Sequence, residues 1–345
     1  MAKHPYRPGS ERVKGDTVRC RGHNPFFELA EKLCTPHVLN QTARIEGLPR
    51  PADGIVRIAL VSMPVLPYSE TDVRKPKKLR HGIEPSDVQR TLANFRRPDT
   101  TRMLTAYKEA LQIALEQHKA NIVCFNELGL PSREMVPVDV QDLAAKMSRR
   151  HKALVIAGTA HDKVTMFNTG YLLHPPAHTH AFHKYASAVT MNERIMTPAH
   201  RRVLIIDTLD LRIAVMICLD VVDYTTLASV MLAGDHVDVV LVPCYTERFQ
   251  KMQDIAAVAS KALPGVVALV NARHRTGSRY IAQCGEEVDP TVPPIALQGG
   301  AEIALLSLEL DDHDAKRKRA MTYPDPCLDW MFGSRYLPKR HNQVT

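Results

Sequence analysis

Residues 211–220 read LRIAVMICLD, an apolar stretch that ends in a cysteine and precedes a predicted helix over 223–233. Its aliphatic and β-branched side chains predict a buried strand. A thiol at a strand-to-helix turn meets backbone N–H groups and the positive end of the helix dipole, and both favour the reactive thiolate. Buried cysteines also fill cores without reacting, so Cys218 alone leaves a catalytic and a packing interpretation open.

Similar apolar runs recur along the chain and alternate with helical patterns. Buried strands are predicted over residues 55–61, 121–125, 154–158, 167–173, 203–206, 211–217, 237–242, 266–270 and 301–308. Helices are predicted over residues 26–33, 101–118, 140–151, 223–233 and 249–262. Buried strands that alternate with amphipathic helices indicate an α/β fold built in layers.

A single α/β domain is predicted over residues 54–310, because no internal repeat or long linker interrupts this alternation. Residues 1–53 are basic and show little apolar periodicity, and we expect them to form an N-terminal extension that packs on the domain. Residues 311–345 are polar and contain prolines, which predicts a C-terminal tail.

The composition is that of a folded globular protein. Hydrophobic residues make up 45% and charged residues 24% of the 345 positions, and the formal net charge is +8. Much of the basic excess lies at the two ends and in residues 74–81. Solvated loops and tails are the favoured explanation, and binding to nucleic acid stays an alternative.

Location is predicted from what the sequence lacks. No stretch approaches the roughly 20 apolar residues that cross a bilayer, so no membrane partner is expected. The first residues lack the apolar core of a signal peptide. Seven widely spaced cysteines do not form the pattern of a disulfide framework, which favours a reducing, cytoplasmic compartment.

Two further predicted strand ends carry chemically useful side chains. Glu127 follows the strand over 121–125, and a partly desolvated carboxylate there suits proton transfer near neutral pH. Lys184 lies in residues 181–185, AFHKY, where its positive charge could stabilise an oxyanion. Taken singly, a solvated loop glutamate and a surface lysine remain open interpretations.

The order Glu127, Lys184, Cys218 resembles the nitrilase superfamily of carbon–nitrogen hydrolases, which places a Glu, a Lys and a Cys in that order at successive strand ends. Residues 217–220, ICLD, are similar to the family's nucleophile motif Ile-Cys-Tyr-Asp. Shorter similarities lie at Met63-Pro64, Asn168-Thr169, Gly234-Asp235 and Asn271, so that the resemblance spans roughly residues 54–310.

The resemblance implies a cysteine hydrolase. Cys218 would attack a carbonyl or nitrile carbon, Glu127 would move the protons, and Lys184 with the backbone N–H near Leu219 would hold the oxyanion. A thioester would form and then be hydrolysed. Glu193 could be the second glutamate that many members place beside the triad.

The resemblance also implies a four-layer α-β-β-α sandwich, no metal or organic cofactor, and a small-molecule substrate. Family members usually pair through helical faces and C-terminal tails, so a homodimer or higher homo-oligomer is expected, with residues 311–345 as candidates for the contact.

Departures from the family pattern leave the substrate open. Asn126 stands where the family usually has Pro, Leu219 replaces an aromatic residue, and Cys244-Tyr245 replaces small residues followed by Trp. Leu219 and Tyr245 are therefore candidate substrate-binding residues. Because amide hydrolysis is commoner in the family, an amide or carbamoyl amide is favoured over a nitrile.

Two other classes of function remain as alternatives. Cys20, His23, Cys34 and His37 form two Cys-x2-His pairs that could hold a structural zinc ion. The other alternative is a nitrilase-like interaction module, which binds a metabolite or partner with little or no turnover and associates with nucleic acid through the basic segments.

Overall fold

Two seven-stranded sheets form the framework of the protein. The computed structural model describes residues 12–13, 17–18, 38–45, 48–49, 51–64, 100–130, 140–161, 167–175, 178–186, 201–208, 211–222, 237–246, 249–262, 266–272, 278–283, 285–297 and 300–309.

The elements follow one another as strands with a few helices between them. In chain order they are β1 (Arg12–Val13), β2 (Thr17–Val18), β3 (Val38–Arg44), β4 (Ile55–Ser62), α1 (Thr100–Gln112), β5 (Ile122–Phe125), α2 (Val140–His151), β6 (Leu154–His161), β7 (Asn168–His174), β8 (His178–His183), β9 (Arg201–Asp207), β10 (Arg212–Val215), β11 (Val239–Cys244), α3 (Phe249–Ala262), β12 (Val266–Asn271), β13 (Arg279–Gln283), β14 (Glu286–Glu287), β15 (Val292–Ala296) and β16 (Glu302–Glu309). A π-helical turn, Ile113–Gln117, continues α1, and a 3-10 helix covers Cys218–Val221.

Each large sheet combines parallel and antiparallel neighbours. The Glu127 sheet has the order β8-β7-β6-β5-β4-β16-β15, in which β4, β5 and β6 run parallel. The Cys218 sheet has the order β3-β9-β10-β11-β12-β13-β14, in which β10, β11 and β12 run parallel. The two sheets are named for the residues that follow β5 and β10, and a separate small sheet pairs β1 with β2.

The side chains of β4 point alternately to two different core clusters, which shows how the sheets and helices pack in layers. Ile58 and Leu60 belong to a core cluster that also contains Val215 and Leu241 of the Cys218 sheet, so the two sheets pack on each other. Ala59 and Val61 face the other way, into a cluster with residues of α1 and α2. Successive strand residues point to opposite faces, and both faces here are apolar because both are covered.

The α/β prediction is confirmed by two sheets that pack on each other, and the four-layer order remains a prediction. Every predicted strand overlaps an observed one, and the helices predicted over 101–118, 140–151 and 249–262 correspond to α1 with its π-turn, α2 and α3. The helices predicted over 26–33 and 223–233 lie outside the described residues.

Several strands were not predicted. They include β3, β13, β14 and β15, whose sequences are polar, short or contain prolines. β3 lies within the expected N-terminal extension and pairs in parallel with β9, so that part of residues 1–53 contributes a strand to the Cys218 sheet. The boundary at residue 53 and the role of residues 311–345 remain predictions.

Gly158 in β6 supports the turn that carries Glu127. Its φ of +80° is unfavourable for other residues, and a Cβ there would lie 2.9 Å from the Asn126 carbonyl oxygen. We expect Gly158→Ala to lower the free energy of unfolding by about 2–4 kcal/mol, through backbone strain and overpacking. Denaturant titration measures this change.

Gly54→Ala is the matched control. Gly54 has a similar φ of +68°, but a Cβ there would meet nothing within 4 Å. This substitution should therefore show the cost of the backbone conformation alone, about 1 kcal/mol. Equal losses for the two variants would mean that contact with the Asn126 turn is unimportant.

Candidate active site

The turn after β5 is fixed by hydrogen bonds on both sides of Glu127. The Asn126 side chain accepts from the Met63 N–H at 2.6 Å and donates to the Glu127 carbonyl oxygen at 2.7 Å. Leu128 adopts a positive φ of 58°, and its N–H donates to Thr159 Oγ1 at 3.0 Å. Asn126, noted from the sequence only as a departure from the family pattern, thus holds the backbone that presents Glu127.

The β7–β8 hairpin supplies two donors to the Glu127 carboxylate. Lys184 Nζ lies 2.6 Å from Glu127 Oε1, and Asn168 Nδ2 donates to the same oxygen at 2.8 Å. Asn168 begins β7 and Lys184 follows β8, and the Lys184 N–H donates to the Asn168 carbonyl oxygen at 2.9 Å. Glu127 and Lys184 are each only 1% exposed, so the ion pair is fully buried.

Cys218 begins the 3-10 turn at the end of the β10 segment. It is 2% exposed and has a φ of +50°, an uncommon conformation for a residue with a side chain. Such backbone strain is found at functional sites, where the surrounding structure holds it in place. Leu219, partly exposed, is the next residue of the turn.

Asp220 links the Lys184 segment to the Cys218 turn. Its Oδ1 accepts from the N–H groups of Tyr185 at 3.0 Å and Ala186 at 2.7 Å, and its Oδ2 accepts from the Ile217 N–H at 3.3 Å. Burial raises the pKa of Asp220 to about 7, although the backbone donors and the charge of Lys184 act to lower it. Sequence reasoning quoted Asp220 as part of the nucleophile motif but gave it no role.

The chain after β11 lies against Cys218. The Cys218 thiol approaches the Tyr245 carbonyl oxygen at 4.0 Å. Asn271 holds this segment, because its side chain accepts from the Thr246 N–H and donates to the Thr246 carbonyl oxygen, each at 3.0 Å. Leu219 and Tyr245, the predicted substrate-binding residues, therefore both lie beside Cys218, and their role remains a prediction.

The three candidate catalytic side chains all affect the pKa of Cys244, the last residue of β11. Burial raises the pKa of the Cys244 thiol well above its ordinary value. A hydrogen bond with the Cys218 side chain and the negative charges of Cys218 and Glu127 raise it further, while the charge of Lys184 lowers it. Cys244 thus has Glu127, Lys184 and Cys218 close enough to act on its ionisation.

Other predicted site residues lie outside the described part of the chain. They are Glu193 and the four candidate zinc ligands Cys20, His23, Cys34 and His37. Among the residues that the structure describes, no group of three His, Cys, Asp or Glu side chains is arranged to hold a metal ion. Within the same ranges, no helix has the length and apolar character needed to cross a membrane.

Comparison with known proteins identifies the family. The carbon-nitrogen hydrolase profile matches residues 88–284, more than half of the chain. The chain therefore belongs to the carbon–nitrogen hydrolase family, and the predicted class of enzyme is confirmed at that level. No curated protein sequence gives a significant match.

Solved structures share the fold at low sequence identity. The carbon-nitrogen hydrolase from Helicobacter pylori G27 has a TM-score of 0.54 at 12% identity, over 84% of this chain and 99% of that one. A CN-hydrolase superfamily protein from Xanthomonas campestris, with an arsenic adduct in its active site, has a TM-score of 0.53 at 14% identity, over 80% and 97%. A mutant of the amidase from Nesterenkonia sp. AN1 has a TM-score of 0.52 at 14% identity, over 79% and 98%.

The buried ion pair is expected to support the fold as well as the site. We expect Lys184→Met to lower the free energy of unfolding by about 3 kcal/mol, because Glu127 would stay buried without its cationic partner. Adding Glu127→Gln to this variant should restore part of the loss, and denaturant titration measures both.

Lys146→Met serves as the control, because Lys146 is exposed on α2. It should change stability by no more than about 0.5 kcal/mol. A loss in Lys184→Met as small as that of the control would show that the ion pair does not stabilise the folded state.

Asp220 should make stability depend on pH in a defined direction. Its pKa is raised from 3.8 to about 7, so the folded state binds the proton more tightly than the unfolded state. The stability that proton binding by Asp220 contributes is fully present below pH 3.8 and is lost as the pH rises through about 7. The stability of the wild type relative to Asp220→Asn should therefore fall across that window.

Denaturant titration of both proteins at several pH values checks this prediction, since groups other than Asp220 titrate in both and cancel. If the stability of the wild type relative to Asp220→Asn stays constant or grows with pH, the three N–H donors and Lys184 affect the pKa of Asp220 more than burial does.

Proposed function

We propose that the protein is a cysteine-dependent hydrolase of non-peptide carbon–nitrogen bonds, with Glu127, Lys184 and Cys218 as its catalytic residues. An amide or carbamoyl amide is the favoured substrate class. The observation that carries the proposal is the buried Lys184–Glu127 ion pair, whose Lys184 segment Asp220 links to the Cys218 turn.

The surroundings of Cys218 support a role as nucleophile. It lies at a strand-to-helix turn in a strained conformation with a positive φ. A mutant of the amidase from Nesterenkonia sp. AN1 shows covalent addition of the acetamide moiety of fluoroacetamide at its active-site cysteine, so a cysteine of that fold is nucleophilic. In the proposed reaction Cys218 attacks the carbonyl carbon of the substrate and forms a thioester.

Glu127 suits proton transfer because it is buried and held in one orientation. Lys184 and Asn168 both bind Oε1, which restrains rotation of the carboxylate. In the proposed reaction Glu127 takes the thiol proton and passes it to the leaving nitrogen. It then removes a proton from the water that hydrolyses the thioester. General acid–base catalysis of this kind contributes on the order of 10²- to 10⁴-fold.

Lys184 would act by its charge. A buried ammonium that is paired with a carboxylate stays protonated and is a poor base, but it stabilises a tetrahedral oxyanion. The backbone N–H of Leu219, in the first turn of the 3-10 helix, is the second candidate donor, because the first N–H groups of a helix are not used within it. An oxyanion arises from an amide carbonyl, which favours amides over nitriles.

The test is incubation of the full chain with a panel of small amides, carbamoyl amines and nitriles, followed by intact mass spectrometry and ammonia detection. We expect an acyl adduct and ammonia release from the wild type, and neither from Cys218→Ala. Glu127→Gln should lower kcat by about a thousandfold. Cys124→Ala is the control, since Cys124 is also buried but lies within β5.

Two outcomes would contradict the proposal. Equal turnover by the wild type and Cys218→Ala would remove Cys218 as the nucleophile. Saturable binding of a panel compound by folded protein, without adduct or ammonia, would favour the interaction module instead.

A further inference from the structure

Cys244 is a second thiol, close to the candidate nucleophile Cys218. The proposed hydrolysis does not use it. It ends β11, is 0% exposed and forms no disulfide. The structure describes two other cysteines: Cys218 beside it, and Cys124, which lies within β5 of the other sheet.

The pairing of β10 with β11 brings Cys218 close to the end of β11, where Cys244 lies. β10 and β11 are parallel neighbours, in which Val215 is paired with Leu241. The Met216 N–H donates to the Leu241 carbonyl oxygen at 3.1 Å, so the ladder extends past the end of β10. Cys218 follows two residues after Met216, and its thiol lies 4.0 Å from the carbonyl oxygen of Tyr245, the residue after Cys244.

The spacing suits a covalent link. Neighbouring strands lie about 4.8 Å apart, and disulfides join residues whose Cα atoms are about 4.4–6.8 Å apart. Cys218 also raises the pKa of the Cys244 thiol, which is the effect expected of two neighbouring thiols.

We propose that Cys218 and Cys244 form an oxidative modification site, in which an oxidised Cys218 is trapped as a reversible Cys218–Cys244 disulfide. The link removes the nucleophile from use and prevents its irreversible oxidation.

The chemistry balances with hydrogen peroxide as oxidant. The Cys218 thiolate attacks one peroxide oxygen, the O–O bond breaks, and the products are a sulfenic acid on Cys218 and hydroxide, which becomes water on protonation. Cys244 sulfur then attacks the Cys218 sulfur, and its proton passes through Glu127 to the departing hydroxide. In sum, two thiols and one peroxide give one disulfide and two waters. An external dithiol reverses the link by exchange.

The division of roles follows from the surroundings of the two thiols. Burial and the nearby negative charges raise the pKa of Cys244 and keep its thiol protonated. Because the thiolate is the reactive form, Cys218 makes the first attack on peroxide. Once Cys218 is a neutral sulfenic acid, its negative charge no longer raises the pKa of Cys244. Peroxide is smaller than an amide, so a route that admits a substrate also admits the oxidant.

The test uses the full chain treated with a small excess of hydrogen peroxide, then alkylated and digested without reduction. Trypsin leaves both cysteines in one peptide, because no Lys or Arg lies between residues 213 and 247. A protease that cleaves before aspartate separates them at Asp220 and Asp238. We expect a Cys218–Cys244 cross-linked pair, with the loss of two hydrogens, that disappears on reduction with dithiothreitol.

Cys244→Ser is the decisive variant and Cys124→Ser the matched control. Under the same treatment, Cys244→Ser should accumulate at least about tenfold more sulfinic acid on Cys218 than the wild type, and dithiothreitol should not reverse it. Cys124→Ser should behave as the wild type. Circular dichroism before treatment confirms that each variant is folded.

The proposal is overturned if Cys218 of the wild type reaches sulfinic acid as readily as Cys244→Ser, or if the cross-link joins other cysteines. It is also overturned if peroxide leaves both thiols open to alkylation. These readouts are masses of the protein and need no substrate, so they stand apart from any failure of the hydrolase proposal.

Discussion

The ion pair between Lys184 and Glu127 is the constraint on which the rest of the site depends. Removing two charges from water costs several kcal/mol per ion, and the attraction between them offsets this only when geometry and further hydrogen bonds are good. The fold meets this condition with the β7–β8 hairpin, which supplies Lys184 and Asn168 together. The carboxylate is thereby held in position before any substrate arrives.

Hydrogen bonds between backbone and side chains extend this constraint to Cys218, the candidate nucleophile. Asp220 joins the residues after Lys184 to the turn that begins at Cys218, and Asn126 joins the Glu127 turn to the end of β4. A proline restricts such a turn through its ring, whereas Asn126 restricts it through two hydrogen bonds. The departure from the family pattern thus changes how the turn is held without removing the restraint.

Local patterns predicted the fold class, because buried parallel strands have continuous apolar runs. They placed the three candidate catalytic residues at strand ends, but only the resemblance of their order to the nitrilase superfamily singled them out, and their roles stay predictions. β3 was not predicted, because its sequence VLNQTAR has no apolar periodicity and its place in the sheet depends on pairing with β9. The cross-link through Asp220 and the adjacency of Cys218 and Cys244 depend on contacts between segments distant in sequence. Composition and spacing carry no signal for such contacts.

The position of β3 also determines where the chain can be shortened. Composition changes at residue 54, and a truncation there would take away the strand that covers β9. β9 would then present an open edge with the apolar residues Val203, Leu204, Ile205 and Ile206. Open apolar edges recruit strands from other molecules and lead to aggregation. The N-terminal segment therefore helps to keep the protein in solution, in addition to completing its sheet.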